Sequence, residues 1–186
     1  RNPALWIGGA LALCIGVVAI FPGMFTGQSP LLIDMSRALQ PPSSAHLFGT
    51  DHVGRDVYSR VVHGAGITLG IVSGSLALSA LVGGLGGMIA GYLRGLSDLL
   101  SGQLVAMILS FPPIFLGVMI TGILGSNIAN LMFALAVVYL PLFFRTARST
   151  AMVESAKPYV EAAQVLGVGD GRILLRHLLP NVLPSI

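Results

Sequence analysis

A run of 46 residues without a charged side chain, Leu99–Phe144, limits what this chain can fold into more than any other feature. As a single helix it would be about 69 Å long, more than twice the ~30 Å thickness of a bilayer's hydrocarbon core. The run therefore predicts two membrane spans, with Gly125-Ser126-Asn127 as the natural turn between them. We place these spans near residues 99–123 and 128–146.

Two further charge-free intervals predict two more spans. Asn2–Ile33 contains an apolar core near residues 4–25, and Val61–Leu93 predicts a helix near residues 66–92. A cleaved signal peptide is the alternative for the first interval. Its apolar region would be shorter, about 7–15 residues, and would end at small residues. Because Phe21-Pro22-Gly23 is a poor cleavage site, a retained helix is favoured.

Composition supports a membrane location, since 54% of the residues are hydrophobic and 9% are charged, against about 25% charged in a soluble domain. The predicted fold class is therefore all-α. We expect a polytopic membrane helix bundle with at least four spans, forming a single transmembrane domain over residues 1–186. Residues 181–186 are interpreted as the start of a further span, and the final spans are expected to be missing from this chain.

Glycines and prolines predict how these helices are shaped. The pairs Gly70/Gly74, Gly83/Gly87 and Gly87/Gly91 are each four residues apart, so each pair shares one helix face. Small residues let membrane helices approach closely, which predicts a packing face inside the bundle. Pro112-Pro113 and Pro141 fall inside the third and fourth predicted spans, where proline kinks or breaks a helix. A pore-lining bend and simple helix shaping both remain open.

The arginines predict the topology. Four spans place the N-terminus, the loop near residues 91–98 and the tail after Phe144 on one side of the membrane. That side carries seven basic residues: Arg1, Arg94, Arg145, Arg148, Lys157, Arg172 and Arg176. The other side, residues 26–65, carries three arginines balanced by three aspartates: Arg37, Arg55, Arg60, Asp34, Asp51 and Asp56. Since basic residues favour the inside, the first side and the N-terminus are predicted to be cytoplasmic.

The cytoplasmic tail contains a polar segment with strong helix signals, within residues 147–180. Pro158 suits a first helical turn, Gly167 supplies a stop, Asp170 can cap a second helix and Pro180 ends it. The prediction is a helix–turn–helix elbow lying along the membrane face. Such an element suits docking into a groove on another protein. An amphipathic helix that touches only lipid headgroups is the alternative.

The outer segment concentrates the remaining charge. Arg55 and Arg60 are expected to pair with Asp51 and Asp56, either as a cap that braces the helices or as a contact with a substrate-delivering protein. His46 and His52 lie in the same segment. Their spacing fits no structural metal site and no cysteine is near, so no metal site is predicted.

Two motifs carry a resemblance to a known family. The pattern E-A-A-x3-G-x9-I-x-L-P is matched by Glu161, Ala162, Ala163, Gly167, Leu179 and Pro180, with His177 in place of the isoleucine. This pattern resembles the signature of permease subunits of bacterial ATP-binding-cassette importers, and His177-Leu178-Leu179-Pro180-Asn181 is similar to their peptide and nickel branch. Residues 46–60, which include Phe48-Gly49-Thr50-Asp51, resemble the segment before the second helix of dipeptide and oligopeptide permeases. The resemblance is closest to the subunit type with a short outer loop.

The resemblance implies a type I importer fold, no catalytic residue, and a location in the bacterial inner membrane. It implies that the elbow is a coupling helix seated on an ATP-binding subunit, through Glu161, Ala162, Ala163, Gly167, Asp170, Arg172 and Arg176. Glu161 is expected to orient the elbow through helix-end or arginine contacts. The outer motif residues implied as structural or partner contacts are Asp51, Gly54, Arg55, Asp56 and Arg60.

The partners implied are a homologous second permease, two ATP-binding subunits, an extracytoplasmic binding protein and membrane lipid. ATP and magnesium are expected in the partner subunits, since this chain has no G-x-x-x-x-G-K-[ST] segment. A peptide permease is therefore the main prediction. The alternatives are a nickel or small-solute permease, an intramembrane protease and a structural membrane protein. The protease is disfavoured because only His63 lies at the edge of a span.

Overall fold

The computed structural model describes residues 3–186. Arg1, which was counted on the predicted cytoplasmic side, lies outside the described residues. Over the described range the chain forms helices joined by turns and contains no β-strand, apart from an isolated bridge between Thr50 and Asp56. The predicted all-α membrane fold is confirmed. Two compact units divide the chain, the first ending at Ile71 and the second running Val72–Ile186.

The first unit begins with helix α1 (Pro3–Ile20), which ends just before Pro22 rather than near residue 25. Short 3₁₀ turns follow at Pro22–Met24 and Met35–Arg37. The unit then enters helix α2 (Val57–Ser79), which starts well before the predicted residue 66. Its early start has a local cause, because the Asp56 carboxylate accepts a hydrogen bond from the Ser59 backbone N–H at 2.7 Å.

A π-helical turn, Ala80–Gly84, joins α2 to helix α3 (Leu85–Leu93) without a break. Val57–Leu93 is therefore one 37-residue apolar helix, long enough to cross a membrane. A hydrogen-bonding side chain lies beside the turn. The buried Ser79 hydroxyl is 2.8 Å from the carbonyl oxygens of both Ser75 and Ala136. A π turn widens the helix locally and is frequent at functional positions.

Helix α6 (Ile128–Glu154) packs against α3 through a ladder of glycines. A Cβ added to three of them would lie 2.2–2.6 Å from a carbonyl oxygen of α6, in the pairs Gly83–Leu140, Gly87–Phe144 and Gly91–Arg148. We call these three contacts the glycine ladder. The predicted packing face is confirmed for the pairs Gly83/Gly87 and Gly87/Gly91. A Cβ on Gly70 would meet no atom within 4 Å, and one on Gly74 would meet only the flexible end of Met132.

The predicted third span is divided in the structure. Helices α4 (Gly95–Leu109) and α5 (Pro113–Leu124) meet at 92° instead of forming one helix over 99–123. The cause is Pro112-Pro113: Pro112 adopts φ −58 and ψ 132, because the α region is disfavoured for a residue that precedes proline. Pro113 then starts α5 at the first helical position.

The turn between α5 and α6 lies where it was predicted. Helix α5 ends at Leu124, Gly125 has φ +93, and the Asn127 side chain caps α6 by accepting from the Asn130 N–H at 2.8 Å. Helix α6 continues through Pro141 and past residue 146 to Glu154. Arg145 and Arg148 therefore lie on α6 and not in the tail that follows it.

The relative direction of α3 and α6 determines how many times the chain crosses the membrane. Three helices are long and apolar enough to cross a membrane, or four if α4 and α5 form one bent span. In the glycine ladder the residue numbers rise together along both helices, so α3 and α6 run parallel. Since the chain leaves α3 at one face and enters α6 from the other, α4 and α5 must together return it across. They form one bent span, the third of four.

After α6 come α7 (Pro158–Val165) and α8 (Asp170–Ile173). The second of these does not end at Pro180, as the sequence predicted. It continues through a π-helical turn at Leu174–Leu178 into α9 (Leu179–Val182) and a final 3₁₀ turn. Pro180 falls within the first two positions of α9, directly after the π-helical turn.

Candidate docking site

The elbow, defined as residues 158–173, is shaped by the end of α7. Gly167 has φ +75, the left-handed region that favours glycine. Its N–H donates to the Gln164 carbonyl at 2.9 Å, and the Val168 N–H donates to the Ala163 carbonyl at 3.0 Å. These two bonds form a Schellman motif, which satisfies the last carbonyls of the helix and fixes the reversal. The helix stop predicted at Gly167 is confirmed.

The inner face of the elbow is anchored to the spans. Val160, Ala163 and Ile173 are buried in one apolar cluster, together with Met88, Ala147, Ala151, Leu178 and Val182. Val168 packs against the same cluster. Ala163 is 8% exposed and lies in the same cluster as Ala147 and Ala151 of α6. The elbow is therefore attached to helices α3 and α6.

The outer face is the opposite side of α7, formed by Pro158, Glu161, Ala162, Val165 and Leu166. Val165 and Leu166 are 83% and 82% exposed. Two such side chains at the tip of a polar element are unusual for a surface in contact with water only. The structure thus separates the predicted motif residues: Ala163 faces inward, while Glu161 and Ala162 face outward.

Glu161 lies in the first turn of α7, where a carboxylate interacts favourably with the helix dipole. Within residues 3–186 its side chain makes no ion pair and no hydrogen bond. The arginine contact predicted for it is therefore absent from this part of the chain. It lines a polar cleft of about 380 Å³ together with Tyr92, Arg94, Ser155, Ala156 and Gln164.

Arg172 and Arg176 are exposed on the second arm of the elbow and its continuation. In the described chain neither side chain has an acidic or hydrogen-bonding partner. Glu161, Arg172 and Arg176 thus give the elbow and its continuation unpaired charges of both signs. That arrangement is suited to a partner with complementary charges.

A polar clamp ties the turn of the elbow to the end of α3. The Tyr92 hydroxyl donates to the Asp170 carboxylate at 2.7 Å, and the Gln164 amide lies 3.3 Å from the same hydroxyl. Asp170 was predicted to cap the second helix, and this is wrong. Gly169 occupies the capping position, and Asp170 is the first helical residue, with its carboxylate turned to Tyr92.

Replacing Tyr92 by phenylalanine should loosen the elbow without removing any of its outer face. The lost hydrogen bond joins a charged group at an exposed site and is worth about 1 kcal/mol. We therefore expect amide hydrogens of residues 164–173 to exchange roughly fivefold faster, because that energy sets the local opening equilibrium. Tyr139→Phe is the matched control, since the Tyr139 hydroxyl has no partner in residues 3–186. Equal exchange in both variants would show that the clamp does not hold the elbow.

A second polar group holds the base of the elbow. The buried Glu154 carboxylate accepts from Lys157 at 2.6 Å and from the Tyr159 hydroxyl at 2.5 Å. Burial and the neighbouring carboxylate raise the pKa of Tyr159 to about 12, so it stays a donor at all physiological pH values. Sequence reasoning did not find this group. The short spacing from Glu154 to Lys157 and Tyr159 is its only sequence signal.

The outer motif forms one compact loop. The Asp51 carboxylate pairs with Arg55 at 2.8 Å and with Arg60 at 2.6 Å, so both predicted arginines converge on one aspartate. Asp56 was predicted to share these pairs but does not. It lies 3.0 Å from the ring of His46, and both side chains are buried.

Backbone geometry explains why this loop is rigid. Burial opposes ionisation of Asp51, but the N–H groups of Arg55 and Val53 and the Arg55 side chain outweigh it and hold its pKa well below the usual range. Gly54 has φ +79, and a Cβ there would overlap the Asp34 carbonyl.

Among the described residues no three histidine, cysteine or acidic side chains are grouped to hold a metal.

These features define a polytopic helical membrane protein with a rigid polar element fastened to its spans, as transport permeases have. The chain belongs to the family of binding-protein-dependent transport system inner membrane components, and the match covers residues 83–186. The matched region includes the glycine ladder and the whole elbow. The resemblance predicted from the two motifs is confirmed at the level of the family.

Several curated proteins are similar over most or all of the chain. The dipeptide transport system permease protein DppC of Alkalihalophilus pseudofirmus is 34% identical over 186 residues, which is all of this chain and 61% of that protein. The probable D,D-dipeptide transport system permease protein DdpC of Escherichia coli K12 is 36% identical, again over the whole chain and 62% of its own length. A glutathione transport system permease protein, GsiD of Pectobacterium atrosepticum, is 35% identical over 82% of this chain and 51% of its own. The chain thus spans about three fifths, or less, of the length of these relatives.

Proposed function

We propose that this chain is a transmembrane permease subunit of an ATP-driven importer of peptides. It forms half of a translocation path whose other half is a homologous second permease. Two ATP-binding subunits supply the energy, and an extracytoplasmic binding protein delivers the solute. ATP and magnesium are held by those subunits, and this chain contributes no catalytic residue.

The observation that carries the proposal is the two-sided elbow. Its inner face is buried against helices that cross the membrane, whereas Val165 and Leu166 on its outer face are almost fully exposed. A force applied to the outer face therefore reaches α3 and α6 through packed side chains and through the Tyr92 clamp. An element of this kind transmits motion between a soluble partner and the spans.

Energy must come from outside this chain. The sequence has no glycine-rich phosphate loop ending in Lys-Ser or Lys-Thr, and Gly167-Val168-Gly169-Asp170-Gly171 is the turn of the elbow. The ATP-binding subunits are thus the partners for which the outer face is suited. The candidate coupling residues are Glu161, Ala162, Gly167, Arg172 and Arg176, with Ala163 and Asp170 acting from the inner side.

A peptide is the favoured solute. The three relatives described above are named for dipeptides, D,D-dipeptides and glutathione, which favours a peptide over nickel. Uptake by the reconstituted complex, measured with a panel of dipeptides, oligopeptides and Ni²⁺, separates the two. Uptake of Ni²⁺ in preference to every peptide would overturn the peptide assignment.

The proposed orientation places the elbow in the cytoplasm. The elbow side carries Arg94, Arg172 and Arg176 without acidic partners in the described chain, whereas the outer arginines are matched by Asp34 and Asp51. Unpaired basic residues favour the cytoplasmic face of a membrane protein. The N-terminus then lies in the cytoplasm, since α1 crosses once before the outer segment.

Substituting Val165 by glutamate should release the ATP-binding subunits. A carboxylate in an apolar contact costs several kilocalories per mole unless it is paired, which corresponds to at least a tenfold loss of affinity. Co-purification should then retain the second permease and lose the ATP-binding subunits. Val153→Glu is the matched control, because Val153 is equally apolar and well exposed but lies off the outer face. Retention of the ATP-binding subunits by the Val165 variant would rule out docking at this face.

A further inference from the structure

The outer segment exposes a group of large aliphatic side chains that neither a span nor the elbow explains. Five of them lie within nine residues and are 60–76% exposed: Leu31, Leu32, Ile33, Met35 and Leu39. We call this group the apolar rim. It lies outside the membrane-crossing helices, in a segment whose opposite side is a network of hydrogen bonds. Exposed apolar groups of this size mark a surface that contacts something other than water.

The rim is held in place by the backbone. The Asp34 N–H donates to the Val53 carbonyl at 3.2 Å, and the Leu39 N–H donates to the Asp51 carbonyl at 3.1 Å. The rim segment is thus bound at two points to the rigid loop that carries Asp51 and Gly54. Its side chains are presented by a fixed scaffold.

Leu39 adds an independent observation. It has φ +54, one of two non-glycine residues with positive φ among those described. A bulky side chain rarely adopts this conformation, and it persists only where the surroundings impose it. Here the hydrogen bond to Asp51 imposes it, and the result is that a leucine side chain points away from the protein, 74% exposed.

We propose that the apolar rim inserts into the interfacial layer of the lipid bilayer, in the leaflet where α1 ends. Exposed apolar residues continue from that end toward the rim, since Phe21, Met24 and Phe25 follow Ile20 and are all exposed. The rim begins six residues after Phe25, on the segment that leaves this exposed apolar end of α1. An apolar face at the headgroup boundary binds by burying its side chains among the acyl chains.

The chemistry of the rim favours lipid over a protein partner. Four of its five members are aliphatic side chains. The buried centres of protein interfaces are enriched instead in aromatic residues, methionine and arginine. The charged neighbours are also suited to a headgroup layer. Asp34 accepts from Ser36 and pairs with Arg37 at 3.0 Å, and Arg37 remains more than half exposed beside the rim.

Spin labelling tests the proposal with little change to the chain, because Cys14 is the single cysteine. In a Cys14→Ser background, Leu32→Cys and Leu39→Cys place a nitroxide on the rim. Ser44→Cys places one on an exposed polar position of the same outer segment. The assembled importer is reconstituted in vesicles of phosphatidylethanolamine and phosphatidylglycerol. Collision rates are then measured with oxygen, which concentrates in lipid, and with a water-soluble relaxing agent.

At positions 32 and 39 we expect a severalfold higher ratio of oxygen to water-soluble collisions than at position 44. A ratio at either rim position equal to that at position 44 overturns the proposal. Protection from both reagents at the rim also overturns it, because that result would assign the rim to a protein partner. Only labelled variants whose thermal stability and elution on size-exclusion chromatography match those of the unlabelled protein are compared, so a misfolded loop cannot imitate either result. Loss of coupling at the elbow would leave these ratios unchanged, which keeps this test separate from that of the proposed function.

Discussion

Replacing Gly167 by proline is expected to uncouple ATP hydrolysis from uptake and to lower solute uptake at least tenfold. Proline fixes φ near −65°, whereas the turn requires +75, and it removes the N–H that donates to Gln164. The left-handed conformation and the lost bond together account for about 2–3 kcal/mol, which exceeds the 1.4 kcal/mol of a tenfold effect. The elbow can then no longer hold α7 and α8 at their present angle.

Gly171→Ala is the matched control for this substitution. Gly171 lies four residues away on α8, and a Cβ there would meet no atom within 4 Å. It should assemble, hydrolyse ATP and transport normally. Measuring uptake and ATPase activity in the same vesicles separates uncoupling from loss of assembly. Normal uptake by an assembled Gly167→Pro complex would mean that the elbow does not couple the two activities.

Gly87→Ala should be the most damaging single-methyl change in the spans. Its Cβ would lie 2.2 Å from the Phe144 carbonyl oxygen and 2.9 Å from the carbonyl carbon, so the α3 and α6 backbones must separate. Overpacking of this kind costs about 1–3 kcal/mol, and backbone atoms leave little room for relief. We expect a clear drop in the temperature at which the purified complex loses its folded state.

The adjacent glycine provides the comparison. A Cβ on Gly86 would meet the Phe144 ring at 3.8 Å, an ordinary contact, so Gly86→Ala should be neutral or slightly stabilising. Thermal unfolding of the two variants, followed by intrinsic fluorescence and by size-exclusion chromatography after heating, gives the difference. Equal stability of the two variants would mean that the ladder does not limit the approach of the helices.

Sequence patterns sufficed for the features that depend on neighbours along the chain. Charge-free intervals marked the spans, glycines four apart identified the face of α3 that packs on α6, and Gly167 marked the reversal of the elbow. Each rests on a local rule of helix periodicity or helix termination. Pro112-Pro113 indicated a distortion, but its angle of 92° depends on how α4 and α5 pack against other helices.

The features that sequence reasoning missed depend on residues far apart in the chain. Tyr92 and Asp170 are separated by 78 positions, so no periodicity relates them. Asp170 was interpreted as a cap because a local rule was available, and the distant hydroxyl of Tyr92 prevailed over it. The two π-helical turns have the same origin, since tertiary packing and not propensity decides where a helix admits an extra residue.

The glycine ladder has one more consequence. Its three contacts recur every four residues, and at each of them a glycine places no side chain between the helices. Interdigitated side chains hold two helices at one register, whereas these three glycine contacts add no such restraint. Sliding by four residues, about 6 Å, would place two of the three glycines opposite the carbonyl that the neighbouring glycine meets now. The same three glycines that bring the helices close therefore add little resistance to a translation of one helix past the other along its axis.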